Sequence, residues 1–152
     1  MDKYITSKTG VKVFTDYRDQ VTIDQDNPLL KAKANLPRET YNRGTVKGLS
    51  RFGSENSEDI KTWNAFRSLQ LNKNMRKYYE LIGLQDDCER VLFWGIDVDT
   101  DKFDKDLKSV LDKIEPPALW VQQTEPDVVI IGKNTIVFNE SKLGKSGANI
   151  EA

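Results

Sequence analysis

The stretch Arg90 to Val98 (RVLFWGIDV) constrains this chain more than any other, because large apolar residues follow one another in it with almost no polar alternation. Such a run is the mark of a strand buried on both faces, not of one with a wet side. A strand of that kind needs cover, and the flanking sequence offers two helices. Residues 57–82 carry the clearest helical pattern. Ser57 is a good N-cap, and Glu58 and Asp59 fall in the first turn, where the helix dipole favours acids. Ile60, Trp63, Phe66 and Leu69 recur at helical spacing, Met75, Tyr78 and Tyr79 continue the pattern, and Gly83 is a natural stop. Asp101 to Ile114 predicts the second helix, with Phe103, Leu107, Val110, Leu111 and Ile114 on one stripe and Pro116-Pro117 ending it.

Two more strands are expected after this helix, Asp127 to Ile131 and Thr135 to Lys142, with Gly132, Lys133 and Asn134 making the turn. Leu119 to Gln122 is a further short strand candidate. The first 54 residues are weakly periodic, with short strands expected in Thr6 to Val13 and Val21 to Ile23. Pro28 to Gly53 reads as loop, punctuated by Pro28, Pro37, Gly44, Gly48 and Gly53. This divides the single domain into an N-terminal arm, 1–54, and an α/β unit, 55–152.

Several kinds of chemistry are excluded by composition. The 152 residues contain no histidine, which removes Ser-His-Asp triads, histidine-based proton transfer and zinc sites that use His. Acid–base or metal chemistry must therefore use carboxylates, lysine, tyrosine or bound water. Cys88 is the single cysteine, so no intrachain disulfide forms, and with no histidine partner it reads as inert packing. The start MDKYITSKTG lacks an apolar signal core, and no apolar run approaches the roughly 20 residues that span a bilayer. A cytoplasmic protein without a membrane partner is expected. The formal net charge of −1 conceals a local imbalance. Between Pro28 and Gly53, six basic residues (Lys31, Lys33, Arg38, Arg43, Lys47, Arg51) face one acid, Glu39. By itself this is an ordinary solvated loop. Beside a phosphodiester-cleaving site it becomes a phosphate-contacting arm.

Such a site is suggested by the hairpin EPDVVIIGKNTIVFNESK, residues 125–142. A loop of two residues (Lys133, Asn134) or of four (Gly132 to Thr135) places Asp127 opposite Glu140. Side chains alternate by two, so Lys142 shares the face of Glu140. Directly opposed residues have Cβ atoms about 4.5–5.5 Å apart, and opposed like charges repel. Two carboxylates held together in this way call for a cation. Lys142 serves in part, and a hard divalent ion with oxygen ligands serves better. A three-residue loop would shift the register by one and separate the two acids.

These residues resemble the PD-(D/E)XK nuclease superfamily, which has the restriction-endonuclease-like fold. The pattern is Pro126-Asp127, twelve intervening residues, then Glu140-Ser141-Lys142. The resemblance implies that Asp127 and Glu140 bind Mg²⁺ (with Mn²⁺ able to replace it), that the Ser141 backbone carbonyl adds a ligand, and that Lys142 assists the attacking water. It implies an α/β fold, a mixed sheet preceded by a long helix. An acid of that helix joins the site: Glu58 first, Glu55 second. The implied activity is Mg²⁺-dependent hydrolysis of nucleic acid, most naturally DNA. The resemblance covers residues 54–142. The family core adds a helix and a strand after this point, and the ten residues that follow are too few for both. A homodimer or a further segment would complete the core. Glu125 directly precedes the motif and opposes Lys142 in the same register, so it competes for that lysine.

The rival reading is a nucleic-acid-binding or assembly module that keeps the fold without turnover. Salt-dependent DNA binding without Mg²⁺-dependent cleavage would distinguish it. A third is a protein-interaction fragment with no basic face. Trp63, Trp94, Trp120, Tyr78 and Tyr79 lie on apolar faces and read as core, not as base-stacking platforms. The acids from Asp97 to Asp104 do not form an EF-hand, because its sixth and twelfth positions would be Lys102 and Lys108. GKSG, residues 144–147, lacks the first glycine of a phosphate loop, since position 139 is Asn.

Overall fold

The apolar run supplies a central strand of the main sheet. A computed structural model of the chain describes residues 2–35, 46–114 and 125–142. Among these residues the strands are β1 (Tyr4–Thr6), β2 (Lys12–Phe14), β3 (Cys88–Phe93), β4 (Ile96–Asp97), β5 (Lys102–Phe103), β6 (Val128–Gly132) and β7 (Ile136–Asn139). The helices are α1 (Pro28–Ala34), α2 (Glu58–Leu71), α3 (Met75–Leu81) and α4 (Lys105–Ile114), with 3₁₀ turns at Tyr17–Gln20 and Arg51–Gly53. The protein is therefore mixed α and β. Five strands form one sheet in the order β5-β4-β3-β6-β7, and β1 pairs with β2 separately. Every ladder between described strands is antiparallel, where the family resemblance led to a mixed sheet.

β3 and β6 lie side by side and are covered on both faces, which is why both read as apolar runs. Val91, Phe93, Val128 and Ile130 face a core built with Leu29, Leu30, Ile60, Trp63, Phe66, Met75 and Tyr79 from α1, α2 and α3. Leu92 and Val129 face the other way, where Leu107 of α4 buries them and Leu111 and Ile131 pack alongside. On this second side Val110, Ile114, Ile136 and Phe138 are exposed, so the stripe expected along α4 is covered only in part.

Several boundaries differ from the sequence reading, each for a physical reason. The single helix over 57–82 is two helices, α2 and α3. Between them Lys73 takes φ +56°, and the Asn74 N–H donates to the Leu69 carbonyl at 2.8 Å. Asparagines on both sides of Lys73 favour such a break. The helix expected from Asp101 begins at Lys105, because Asp104 is buried and its carboxylate accepts from the Asp106 and Leu107 N–H groups as a cap. Phe103 falls instead in β5. The stretch from Pro28 is not all loop. Asn27 accepts from the Leu29 N–H, Pro28 opens α1 at a position where its missing N–H costs nothing, and Leu29 and Leu30 join the core. Thr6 to Val13 divides between β1, a turn and β2, and Val21 to Ile23 forms no strand. Leu119 to Gln122 lies outside the described residues.

The β6–β7 hairpin has the register expected of it. Val128 pairs with Asn139, Val129 with Phe138, Ile130 with Val137 and Ile131 with Ile136. The Gly132 N–H donates to the Thr135 carbonyl at 2.8 Å, so Lys133 and Asn134 make the turn. Lys-Asn is not a favoured turn pair, and a distant acid holds it closed. The Asp86 carboxylate accepts from the Asn134 N–H at 2.9 Å and from the Thr135 hydroxyl at 2.8 Å. The Asn134 N–H, followed by the Thr135 hydroxyl, lowers the Asp86 carboxyl from 3.8 to about 2. A depressed carboxylate stabilises the fold above its unfolded value and loses that contribution as pH falls through the folded value. Asp86→Ala should thus lower the melting temperature at neutral pH. Its deficit against wild type should shrink as pH falls below 3.8 and vanish near 2. Thermal melts across that window test this, and a deficit that persists in acid would assign Asp86 a packing role only.

Candidate functional site

The end of the hairpin away from its turn carries the paired acids. The ladder stops at Val128 and Asn139, so Asp127 and Glu140 are the next facing positions. The two chain ends stay together beyond the ladder. The Ser141 N–H donates to Asp127 Oδ2 at 2.7 Å, and on the other flank the Trp94 N–H donates to the Asp127 carbonyl at 3.2 Å. Lys142 Nζ donates to Glu140 Oε1 at 3.1 Å. Asp127 is half-buried, whereas Glu140 and Lys142 are open to solvent.

The Asp127 carboxyl is raised above its ordinary value. Burial is the largest cause, and the negative charges of Glu140 and Asp59 act in the same direction. The Ser141 N–H and the charge of Lys142 oppose the shift. The Lys142 ammonium is also held above its ordinary value, first by its hydrogen bond to Glu140, then by the charges of Glu140, Glu58 and Asp127. The sequence-predicted trio thus lies within mutual electrostatic reach, and the acids at the start of α2 stand beside it.

Of those acids, Glu58 contributes to the field at Lys142. Glu55 lies elsewhere, accepting from the Lys12 N–H at 2.8 Å on β2. The acid whose charge acts on Asp127 is Asp59, which sequence reasoning did not single out. Asp59 Oδ1 accepts from Trp94 Nε1 at 3.0 Å, and its Oδ2 lies 3.5 Å from the Arg51 guanidinium. A signal for it was available. Asp59, Trp63 and Phe66 are spaced i, i+4, i+7, so Asp59 heads the buried stripe of α2 and points inward.

Trp94 links these parts. It turns the chain from β3 into β4 at φ +52°, followed by Gly95 at φ +77°. Two consecutive positive φ values are what a tight antiparallel turn requires, and a bulky residue in the first of them is strained. Burial holds it there: the residue is 2% exposed, and its ring stacks with Phe52, at 5.9 Å, and with Trp63, at 6.1 Å. One residue therefore fixes the Asp127 backbone through its N–H and the Asp59 carboxylate through its indole.

Comparison with protein-family models, curated proteins and solved structures returned no match.

Asp127, Glu140 and the Ser141 carbonyl offer the oxygen donors that suit a hard divalent cation. Among the described residues, no group of three or more acids or cysteines is gathered closely enough to hold a metal ion. Mg²⁺ needs only one or two carboxylates, with waters and substrate phosphate completing its shell. The Asp127–Glu140 pair fits that mode, and a cation between the two would offset the Glu140 charge that adds to the effect of burial on Asp127. Asp59 already has both oxygens engaged and fits a supporting role better than a ligand role.

The basic arm is partly spent within the protein. Lys31 pairs with Asp26 at 3.0 Å, Lys33 with Glu125 at 2.5 Å and Arg51 with Asp59. Lys47 is exposed, and Arg38 and Arg43 lie outside the described residues. No helix among the described residues is long and apolar enough to cross a membrane.

Proposed function

We propose that this chain is a divalent-metal-dependent nuclease with a restriction-endonuclease-like core, hydrolysing phosphodiester bonds of DNA. The observation that carries this reading is the meeting of Asp127, Glu140 and Lys142 at one hairpin end, beside the acidic start of α2. Asp127 and Glu140 would hold the ion, with the Ser141 carbonyl as a further donor. When bound, Mg²⁺ supplies Lewis-acid polarisation of the phosphate and lowers the pKa of a coordinated water. Lys142 orients the attacking water and offsets negative charge as it develops on the phosphate. Trp94 and Arg51 hold Asp59 fixed at the edge of the site. Glu58 adds to the field that keeps Lys142 protonated. The primary test is incubation of the purified chain with plasmid and linear DNA in Mg²⁺ or Mn²⁺, with EDTA as control. Metal-dependent strand cleavage supports the proposal, and intact DNA under all these conditions sinks it.

A second reading, a nucleic-acid-binding module without turnover, is favoured by one observation. Lys142 Nζ donates to Glu140 Oε1 at 3.1 Å, so one of the two acids has a counter-charge within the protein. Salt-dependent DNA binding without cleavage would select this reading.

The nuclease reading makes a specific prediction for Trp94. Trp94→Phe keeps the stacking on Phe52 and Trp63 but loses the indole N–H that holds Asp59. Removing such an orienting hydrogen bond typically costs about 10–100-fold in activity or metal affinity. We expect cleavage to fall by about 10-fold or more, with DNA affinity nearly unchanged. An unaltered rate would show that Asp59 needs no fixing.

A further inference from the structure

We propose that Lys33 is a positioning residue that keeps Glu125 away from Lys142, so that Lys142 keeps its place beside Glu140 at the site. This inference rests on the nuclease reading. Glu125 precedes Asp127 by two residues, and Lys142 follows Glu140 by two. The hairpin alternation therefore carries Glu125 toward Lys142 just as it carries Asp127 toward Glu140. The contact between the Ser141 N–H and Asp127 shows that the two chain ends still run side by side as far as Asp127 and Ser141. Left alone, Glu125 would add a third acid to the hairpin end and compete with Glu140 for its one lysine. It does not, because α1 brings in another cation. Lys33 Nζ lies 2.5 Å from Glu125 Oε1, and the Lys33 side chain is only 8% exposed.

Lys33 is built into this place. It leaves the last turn of α1, where the helix dipole favours a cation, and its ammonium sits 5.6 Å from the centre of the Trp94 ring. The same indole holds Asp59. The pair therefore ties the segment leading into Asp127 to the aromatic cluster that supports the rest of the site. Low exposure makes the pairing obligatory in a way that a surface bridge is not, since a buried ammonium without a partner is costly. Lys142, in contrast, is 66% exposed, and a bridge at that exposure is weak enough for Glu125 to compete with Glu140.

The test compares wild type, Lys33→Met, Lys33→Arg, Glu125→Gln and the double variant Lys33→Met/Glu125→Gln. Two quantities are read: Mg²⁺-dependent cleavage, and the rate at which a water-soluble acetyl ester modifies Lys142 at fixed mildly alkaline pH, followed by mass spectrometry. Melting temperatures check that each variant is folded. Lys33→Met should slow cleavage by about 10-fold or more and slow Lys142 acetylation several-fold, as Glu125 moves onto Lys142. The double variant should recover both rates. Lys33→Arg should stay near wild type, and Glu125→Gln should keep both rates while melting at a lower temperature, because the buried Lys33 ammonium loses its counter-charge. If Lys33→Met does not fold, Lys33→Gln is read in its place, because its amide keeps the position polar but supplies no charge to hold Glu125.

Loss of cleavage that Glu125→Gln does not rescue would overturn the proposal and make Lys33 a direct phosphate contact or a purely structural residue. Unchanged Lys142 acetylation in Lys33→Met would overturn it as well. A wild type that cleaves nothing defeats the nuclease reading alone. The acetylation rates would still decide whether Lys33 governs the pairing of Lys142.

Discussion

Asp127→Asn should lower Mg²⁺-dependent cleavage by at least about 100-fold, a loss expected when one preorganised electrostatic group is removed from a transition state. The fold should not suffer. Asparagine keeps an oxygen that can accept the Ser141 N–H, and it is nearly isosteric. The wild-type carboxyl is raised, by burial first and by Glu140 and Asp59 next. Its folded state therefore binds a proton more tightly than its unfolded state. Such a group favours the fold when protonated, and that contribution is lost as pH rises through the folded value. At neutral pH the ionised Asp127 is a net cost, so Asp127→Asn should melt at the same temperature as wild type or slightly higher. In acid, where wild type is protonated, the difference should close. Inactivity together with retained or increased stability is what a functional carboxylate predicts. A large drop in melting temperature would instead make Asp127 part of the scaffold, through the Ser141 and Trp94 hydrogen bonds that bracket it.

The largest stability effect is expected at Trp63. Its ring is fully buried, lies 4.8 Å from Phe93 and stacks nearly parallel to Trp94, and its indole N–H donates to the Ile23 carbonyl at 3.1 Å. Truncating a buried tryptophan to alanine costs about 3–5 kcal/mol, out of the 5–15 kcal/mol typical of whole domains. Trp63→Ala should therefore be marginally folded at best, with urea unfolding at much lower concentration. Trp63→Phe refills most of the volume and loses mainly the bond to Ile23, a cost of about 1 kcal/mol. The effect should reach the candidate site. Without Trp63, Trp94 loses the parallel partner that holds its strained backbone, and with it the support of Asp59. A Trp63→Ala variant as stable as wild type would mean that the aromatic cluster does not bear the core.

How far the sequence foretold this protein depended on whether the information was local. The β6–β7 register was legible because it follows from a two-residue side-chain period and a turn whose position Gly132 marks. The buried character of β3 was legible because both of its faces are apolar. The start of α2 was legible because Ser57, Glu58 and Asp59 act within one turn. α1 was missed, since seven residues are too few to display a period, although Asn27-Pro28 carried its start signal. The break between α2 and α3 was missed because the apolar spacing continues across it.

The sequence by itself determined that a loop of two or four residues would set Asp127 opposite Glu140 with Lys142 on the same face, since alternation and turn length act between neighbours in the chain. Only the tertiary structure decided which acid of α2 acts on Asp127, what closes an unfavourable Lys-Asn turn, and which cation takes Glu125. Those choices join residues far apart in sequence: Asp59 to Trp94, Asp86 to Asn134, and Lys33 to Glu125 across 92 positions. Pairings of this kind carry no local period. They are set when the helices pack on the sheet and burial leaves each charged group a limited choice of partner.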